Sequence, residues 1–277
     1  MPIKLGFDAE TVYRQNIVDK NDVDAVSEWL KEKNLPAYSN EQIIQFLLSC
    51  DNVRETTKKT IESYVKIANS SDEIFSNKNV KRIDLQKNLK MCEICVLPER
   101  NQEGYVMIFN RMVDTNYQNY EMGPSFTVIN MTIESALYDY PASGIILIFD
   151  ITGLSWKHLT RLRFGLMRLF AHYLQEGLPV KLHKMYIINA NPVLDSCIKL
   201  MKPFVKKDVI DKMDLYKTDD IDLFYEKCPK RLLPVDYGGE MPCLQTLHKN
   251  QIAKFKDLIG YFEDEEKQRK SFNPRIA

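Results

Sequence analysis

Long apolar runs are missing from this chain. The longest strongly apolar stretch, 145–149, is far short of the roughly 20 residues that a membrane-spanning helix needs. The opening MPIKLGFDAE lacks the apolar core of a secretory signal, so the expectation is a soluble cytoplasmic protein. Excess charge is missing too: 38 Lys and Arg balance 38 Asp and Glu, for a net charge of zero. A nucleic-acid binder normally carries a strongly basic domain or stripe, and no nucleic-acid partner is expected here. Six cysteines spread over 277 residues fit free thiols better than a disulfide framework.

Catalytic motifs are also scarce. GxSxG, GxxxxGK[ST] and GxGxxG do not occur, which removes the short-motif routes to hydrolase, P-loop enzyme and dinucleotide-binding dehydrogenase. The four histidines make no HxxxH or HExxH pattern. Cys92 and Cys95 form a CxxC, yet no second pair or nearby His completes a zinc site, and on a strand the two side chains point to opposite faces. Asp150 follows an apolar strand, where α/β enzymes often place a functional carboxylate; a carboxylate capping its own turn is the equal alternative. No catalytic residue, metal or cofactor is expected.

What the chain has is periodicity. Val23, Val26, Trp29 and Leu30 have helical spacing, Ser39 starts a second helix, and a third covers 53–69, so residues up to about 75 form a small helical bundle. Segments 92–97 and 105–109 read as a strand pair. Phe126, Ile129, Ile133 and Leu137 mark a helix over 125–140, and 144–150 is a continuous run of β-formers, as in a strand covered on both faces. A helix over 156–175 and a strand at 185–188 complete a parallel βαβ crossover. A strand at 213–217, a helix at 221–227 and a charged helix over 251–270, docking through Ile252, Phe255, Ile259 and Phe262, follow.

The most informative stretch is 182–207, LHKMYIINANPVLDSCIKLMKPFVKK: a buried strand, an Asn-Ala-Asn-Pro turn, then an amphipathic helix. Advancing about 100° per residue puts Val193, Cys197, Leu200, Met201 and Phe204 on one stripe with Lys199, Lys202 and Lys206 nearly opposite. Pro203 cannot donate an interior helix hydrogen bond, so the helix should end or kink there.

Several stretches together resemble the CRAL-TRIO (Sec14-like) lipid-binding family. GIILIFDITGLS (144–155) matches its strand followed by Asp-x-x-Gly; 182–213 is similar to its strand, Asn-x-Pro turn and gate helix; LLPVDYGGE (232–240) resembles its Leu-Pro-x-x-Tyr-Gly-Gly terminus. The resemblance implies an α/β fold, a three-layer lipid cage with a mostly parallel sheet, preceded by a small all-α module. The expected bounds are 1–75 for that module, 76–245 for the cage and 246–277 for a charged helix and tail. It further implies a monomeric carrier of one buried hydrophobic small molecule that makes transient contact with a membrane surface. The most similar branch is the retinaldehyde and α-tocopherol transfer type, so a retinoid, tocopherol, carotenoid or similar lipid is the expected cargo. An interaction module with a structural lipid, a phosphoinositide-sensing exchanger and an enzyme using Asp150 are the rival readings.

Face and motif position then give the wall residues. Phe126, Ile129 and Ile133 come from the helix before the central strand, Ile145 and Phe149 from that strand, and Phe170 and Tyr173 from the next helix. Val180, Met185 and Ile187 lie near the following strand, and Cys197, Leu200, Met201 and Val205 on the gate. Lys181, Lys199, Lys202, Lys206 and Lys212 are the expected membrane or phosphoinositide contacts. Lys181 and Lys212 match two positions of the basic cluster of phosphoinositide-exchanging members, whereas Cys50 and Asp208 depart from it.

Overall fold

Asp8, Asp19 and Ser39 each stand one residue before a helix and accept a hydrogen bond from its first turn, so the N-terminal helices begin where the sequence offers an oxygen side chain. In the computed structural model, which describes residues 3–271, these helices are α1 (Ala9–Arg14), α2 (Lys20–Glu32) and α3 (Asn40–Ser49). α4 (Arg54–Ala68), α5 (Asp72–Phe75) and α6 (Ile83–Met91) follow. Helices α1, α5 and α6 lie outside the sequence expectation. α1 and α5 are too short to show a period. α6 buries Leu85, Asn88, Leu89 and Met91 but exposes Ile83, which blurs its apolar stripe.

Five strands form one sheet whose spatial order is the chain order: β1 (Cys92–Val96), β2 (Val106–Met112), β3 (Ile145–Asp150), β4 (Leu182–Ile188) and β5 (Met213–Tyr216). β1 runs antiparallel to β2 and the other pairs are parallel, giving the expected mostly parallel α/β sheet. The crossovers are α7 (Met122–Asp139), then α8 (Phe164–His172), then α9 (Pro192–Met201) with α10 (Lys207–Ile210). α11 (Ile221–Lys227), α12 (Leu244–Asp257) and α13 (Ile259–Lys270) follow β5.

Strand alternation divides the core into two. Ile108, Ile145, Leu147 and Met185 face the helical layer, while Phe109, Ile146, Ile148 and Tyr186 face Phe224, Leu232, Leu233 and Leu244. Both faces are therefore covered, which is why β3 is apolar from Ile145 to Phe149. The outer edge of β1 is capped by side chains. His248 Nδ1 accepts from Ile94 N at 3.1 Å, and Gln251 Oε1 accepts from Val96 N at 3.1 Å. Those two bonds satisfy edge donors that would otherwise invite another strand.

The helix expected over 156–175 is not one helix. A 3₁₀ segment, Trp156–Arg161, is followed by an extended break at Leu162 and Arg163, then α8, then a π-turn, Tyr173–Gly177. The break turns Leu162 inward and lets Arg161 Nε reach the Tyr120 carbonyl at 3.1 Å, while Arg163 pairs with Glu73. The tail is likewise two helices, α12 and α13, with Phe255 and Phe262 fully buried.

A buried ionic cluster ties α13 to the N-terminal helices. Lys78 Nζ lies 2.7 Å from Glu134 of α7 and 2.7 Å from Glu265 of α13. Arg269 Nε donates to Glu265 at 3.0 Å, and its two terminal nitrogens reach the Ala68 and Phe75 carbonyls at 2.9 and 2.8 Å. Two cations thus balance two carboxylates, the condition under which charges survive without water. The cations and Tyr64 hold the Glu265 carboxyl below the usual range despite its burial.

Candidate functional site

Three of the sequence motifs converge on one carboxylate. Asp150, at the end of β3, accepts from the Thr152 backbone at 2.9 Å, from Asn189 Nδ2 at 2.9 Å and from the Tyr237 hydroxyl at 2.7 Å. Burial pushes its pKa up, but the bonds from Asn189, Thr152 and Tyr237 outweigh that and hold it below the ordinary carboxylate range. Glycines position the Tyr237 turn: Gly238 has φ 69°, and a Cβ on Gly239 would sit 1.9 Å from the Leu233 carbonyl oxygen. Both Asp150 oxygens are occupied, so its local chemistry is that of a cap joining β3, β4 and the 232–240 turn.

Between the helical face of the sheet and α7, α8 and α9 lies a cavity of about 320 Å³. That is at the small end of small-molecule sites. No charged side chain lines it, and its polar members are Asn110, Tyr120 and Ser125 with the thiols of Cys92 and Cys197. Burial pushes the Tyr120 hydroxyl and the Cys92 thiol each up to about 12 and raises Cys197, so the wall is neutral at physiological pH. Ser125 Oγ accepts from Asn88 Nδ2 at 2.8 Å and donates to the Glu121 carbonyl at 2.8 Å. An apolar molecule with one hydrogen-bonding end matches such a lining.

Nine of the expected wall residues meet at this cavity: Phe126, Ile129, Phe149, Phe170, Met185, Ile187, Cys197, Met201 and Val205. Phe126 and Phe170 stack at 4.2 Å between ring centroids. Five do not. Ile133 and Ile145 share the right faces, but Ile133 lies one turn too far along α7 and Ile145 sits at the opposite end of β3 from Phe149, so both are core. Tyr173 is buried beside Phe75 and Tyr64, and Val180 packs in the same cluster. Leu200 is 38 % exposed. Leu194 and Leu200 flank Cys197 at about 60° on either side of the helix, so the pattern alone fits either flank, and packing turns Leu194 inward.

The sequence reading missed Met91, Met112, Met122, Met167, Met213 and Val209, as well as Asn110 and Tyr120. Part of that signal was available: β2 runs on to Met112, and its alternation from Val106 and Ile108 carries Asn110 and Met112 onto the cavity face. The remainder depends on which helix ends meet.

α9 forms one wall. Asn191 caps it by accepting from Val193 N at 3.0 Å, Pro192 opens it, and it ends at Met201 before a 3₁₀ turn, Lys202–Phe204, that contains Pro203. Only Val193 and Leu194 of its ten residues are buried. The π-turn after α8 holds its far end: Gln175 Nε2 donates to the Phe204 carbonyl at 3.3 Å, and Gln175 Oε1 accepts from Lys206 N. Lys206 Nζ pairs with Glu176 at 2.8 Å, and Lys181 Nζ lies 3.0 and 2.9 Å from the two oxygens of Asp51. Lys199 and Lys202 are exposed, and Lys212 is half-buried just before β5.

Comparison with known proteins yields matches over most of the chain. The CRAL/TRIO domain model matches residues 90–239, and a Pinta-like UBA domain model matches residues 17–85. Alpha-tocopherol transfer protein-like from Mus musculus is 22 % identical over 268 residues, covering 92 % of this chain and 77 % of that protein. Clavesin-1 from Rattus norvegicus is 24 % identical over 100 residues, covering 36 % of this chain and 28 % of its own. The crystal structure of Sfh5 superimposes with a TM-score of 0.52 at 13 % identity, covering 89 % of this chain and 93 % of that one.

Proposed function

Since this chain belongs to the CRAL/TRIO domain family, we propose that it carries one hydrophobic small molecule in the cavity under α9 and exchanges it with membranes. The observation that bears most weight is the cavity itself, about 320 Å³ with no charged lining. Enclosing ~400 Å² of ligand at ~25 cal/mol per Å² gives a gross gain of about 10 kcal/mol before the costs of association. Release into water is therefore slow, and delivery calls for contact with an acceptor. The relatives named for tocopherol transfer fit a cargo of the retinoid, tocopherol or carotenoid kind.

α9 suits a gate because so little of it is buried that displacing it gives up few contacts. Exposed Trp156, Phe164 and Leu200 offer apolar contacts to a bilayer. The exposed cations Lys157, Arg168, Lys199 and Lys202 each contribute ~1 kcal/mol at an anionic surface. A phosphoinositide-driven exchange has less support, since Lys181 already holds Asp51 and Lys206 holds Glu176.

Native mass spectrometry of the purified chain, with organic extraction of its ligand, tests the proposal. One defined apolar molecule per chain is expected. A well-folded, empty protein that takes up no lipophilic probe would overturn it in favour of a docking module.

A further inference from the structure

The cavity is rich in sulfur. Met91, Met112, Met122, Met167, Met185, Met201 and Met213 all line it, seven of the eleven methionines in the chain. Spread evenly over 277 residues, eleven methionines would place about one among these 23 lining residues. Only two leucines, Leu162 and Leu174, line the same cavity. The seven come from the end of α6, from β2, from the start of α7, and from α8, β4, α9 and β5, so no single Met-rich segment accounts for the convergence. The other described methionines, Met107, Met131 and Met241, are buried elsewhere.

A thioether fills space like leucine but also has a lone pair that accepts an oxygen atom. Met91, Met122, Met167 and Met185 are buried, out of easy reach of an oxidant in bulk water. An oxidant dissolved in the cavity as cargo has no such barrier. We propose that these thioethers serve as an oxygen acceptor for cargo, reducing the hydroperoxide group of a lipophilic molecule to the alcohol. The inference rests on the carrier reading above.

In the step, the sulfur lone pair attacks the terminal oxygen of R–O–OH. The O–O bond breaks as an S–O bond forms, and the terminal proton passes to the departing RO⁻. The products are R–OH and one methionine sulfoxide; sulfur gives up two electrons and the peroxide takes them. Tyr120, Ser125 and Asn110 supply the only polar side chains other than thiols along the wall, where an oxygenated group can be accommodated. Cys92 and Cys197 do not compete, because burial keeps both as thiols and the thiolate is the reactive form. Each sulfoxide puts a polar oxygen into an apolar wall, so spent protein should hold cargo less tightly until a sulfoxide reductase resets it.

The delipidated full chain, incubated with methyl linoleate hydroperoxide, tests this. Peptide mass mapping should find added oxygen on the cavity methionines and none on Met107, Met131 or Met241, with one alcohol formed per sulfoxide. The rate should stay flat between about pH 6 and 8, since a thioether does not titrate. Aqueous hydrogen peroxide at the same concentration should mark Met185 and Met167 more slowly. In the triple variant Met167→Leu, Met185→Leu, Met201→Leu, the alcohol formed per bound hydroperoxide should fall. Unreduced hydroperoxide recovered from a loaded protein, or oxygen spread equally over Met107, Met131 and Met241, would overturn the inference while leaving carriage intact. If neither the hydroperoxide nor its alcohol binds, the carrier reading falls and this inference with it.

Discussion

Met201 and Leu200 are neighbours with opposite surroundings, and the gate can be tested at that junction. Met201 lines the uncharged cavity, whereas Leu200 is exposed. Met201→Asp would place a carboxylate against an apolar wall with no partner, a cost of a few kcal/mol, so its Kd for a fluorescent lipid should rise by about tenfold or more. Leu200→Asp should leave Kd nearly unchanged and slow transfer to vesicles; equal loss of binding in both variants would sink the assigned orientation of α9. This is also where sequence reading reached its limit. The period of 182–207 identified an amphipathic helix but not its rotation, because Leu194 and Leu200 satisfy it equally. Met91, Met122 and Met213 sit at element ends, where no period extends far enough to assign a face.

On the scale of elements, the strands and most helices were legible because their burial is regular. β3 is apolar from Ile145 to Phe149 because both of its faces are covered, and α3 opens at Ser39 because Ser39 and Gln42 cap each other. The break at Leu162 and Arg163 was not legible, since its causes, the Tyr120 carbonyl and Glu73, lie 41 and 90 residues away in sequence. The π-turn beyond that break carries Gln175, which bonds both sides of the bend after α9. Gln175→Ala removes three hydrogen bonds, one to the Ala171 carbonyl and two to the bend, the latter worth about 1 kcal/mol each. Stopped-flow release of a fluorescent cargo should quicken by roughly five- to thirty-fold, with the thermal midpoint lowered by only a few degrees. Unaltered release would show that the bend does not control opening.

For the whole molecule, the decisive contact joins Lys78, just after the N-terminal helices α1 to α5, to α13. Lys78→Met strands Glu134 and Glu265 without their shared cation, and breaking a buried pair in this way costs about 3–5 kcal/mol. Chemical denaturation should register that loss. A variant within about 0.5 kcal/mol of the parent would mean the cluster is not a structural bolt. Asn69 reinforces the junction by donating to the Arg269 carbonyl at 3.1 Å. Glu265 stands 187 residues after Lys78, and Arg269 reaches back to carbonyls 194 and 201 residues earlier. On a ribosome, the N-terminal helices emerge long before either partner has been made. They must wait half-assembled, with Lys78 kept in water, until α13 leaves the exit tunnel. Completion of the N-terminal helices thus waits on a segment made 187 residues after Lys78.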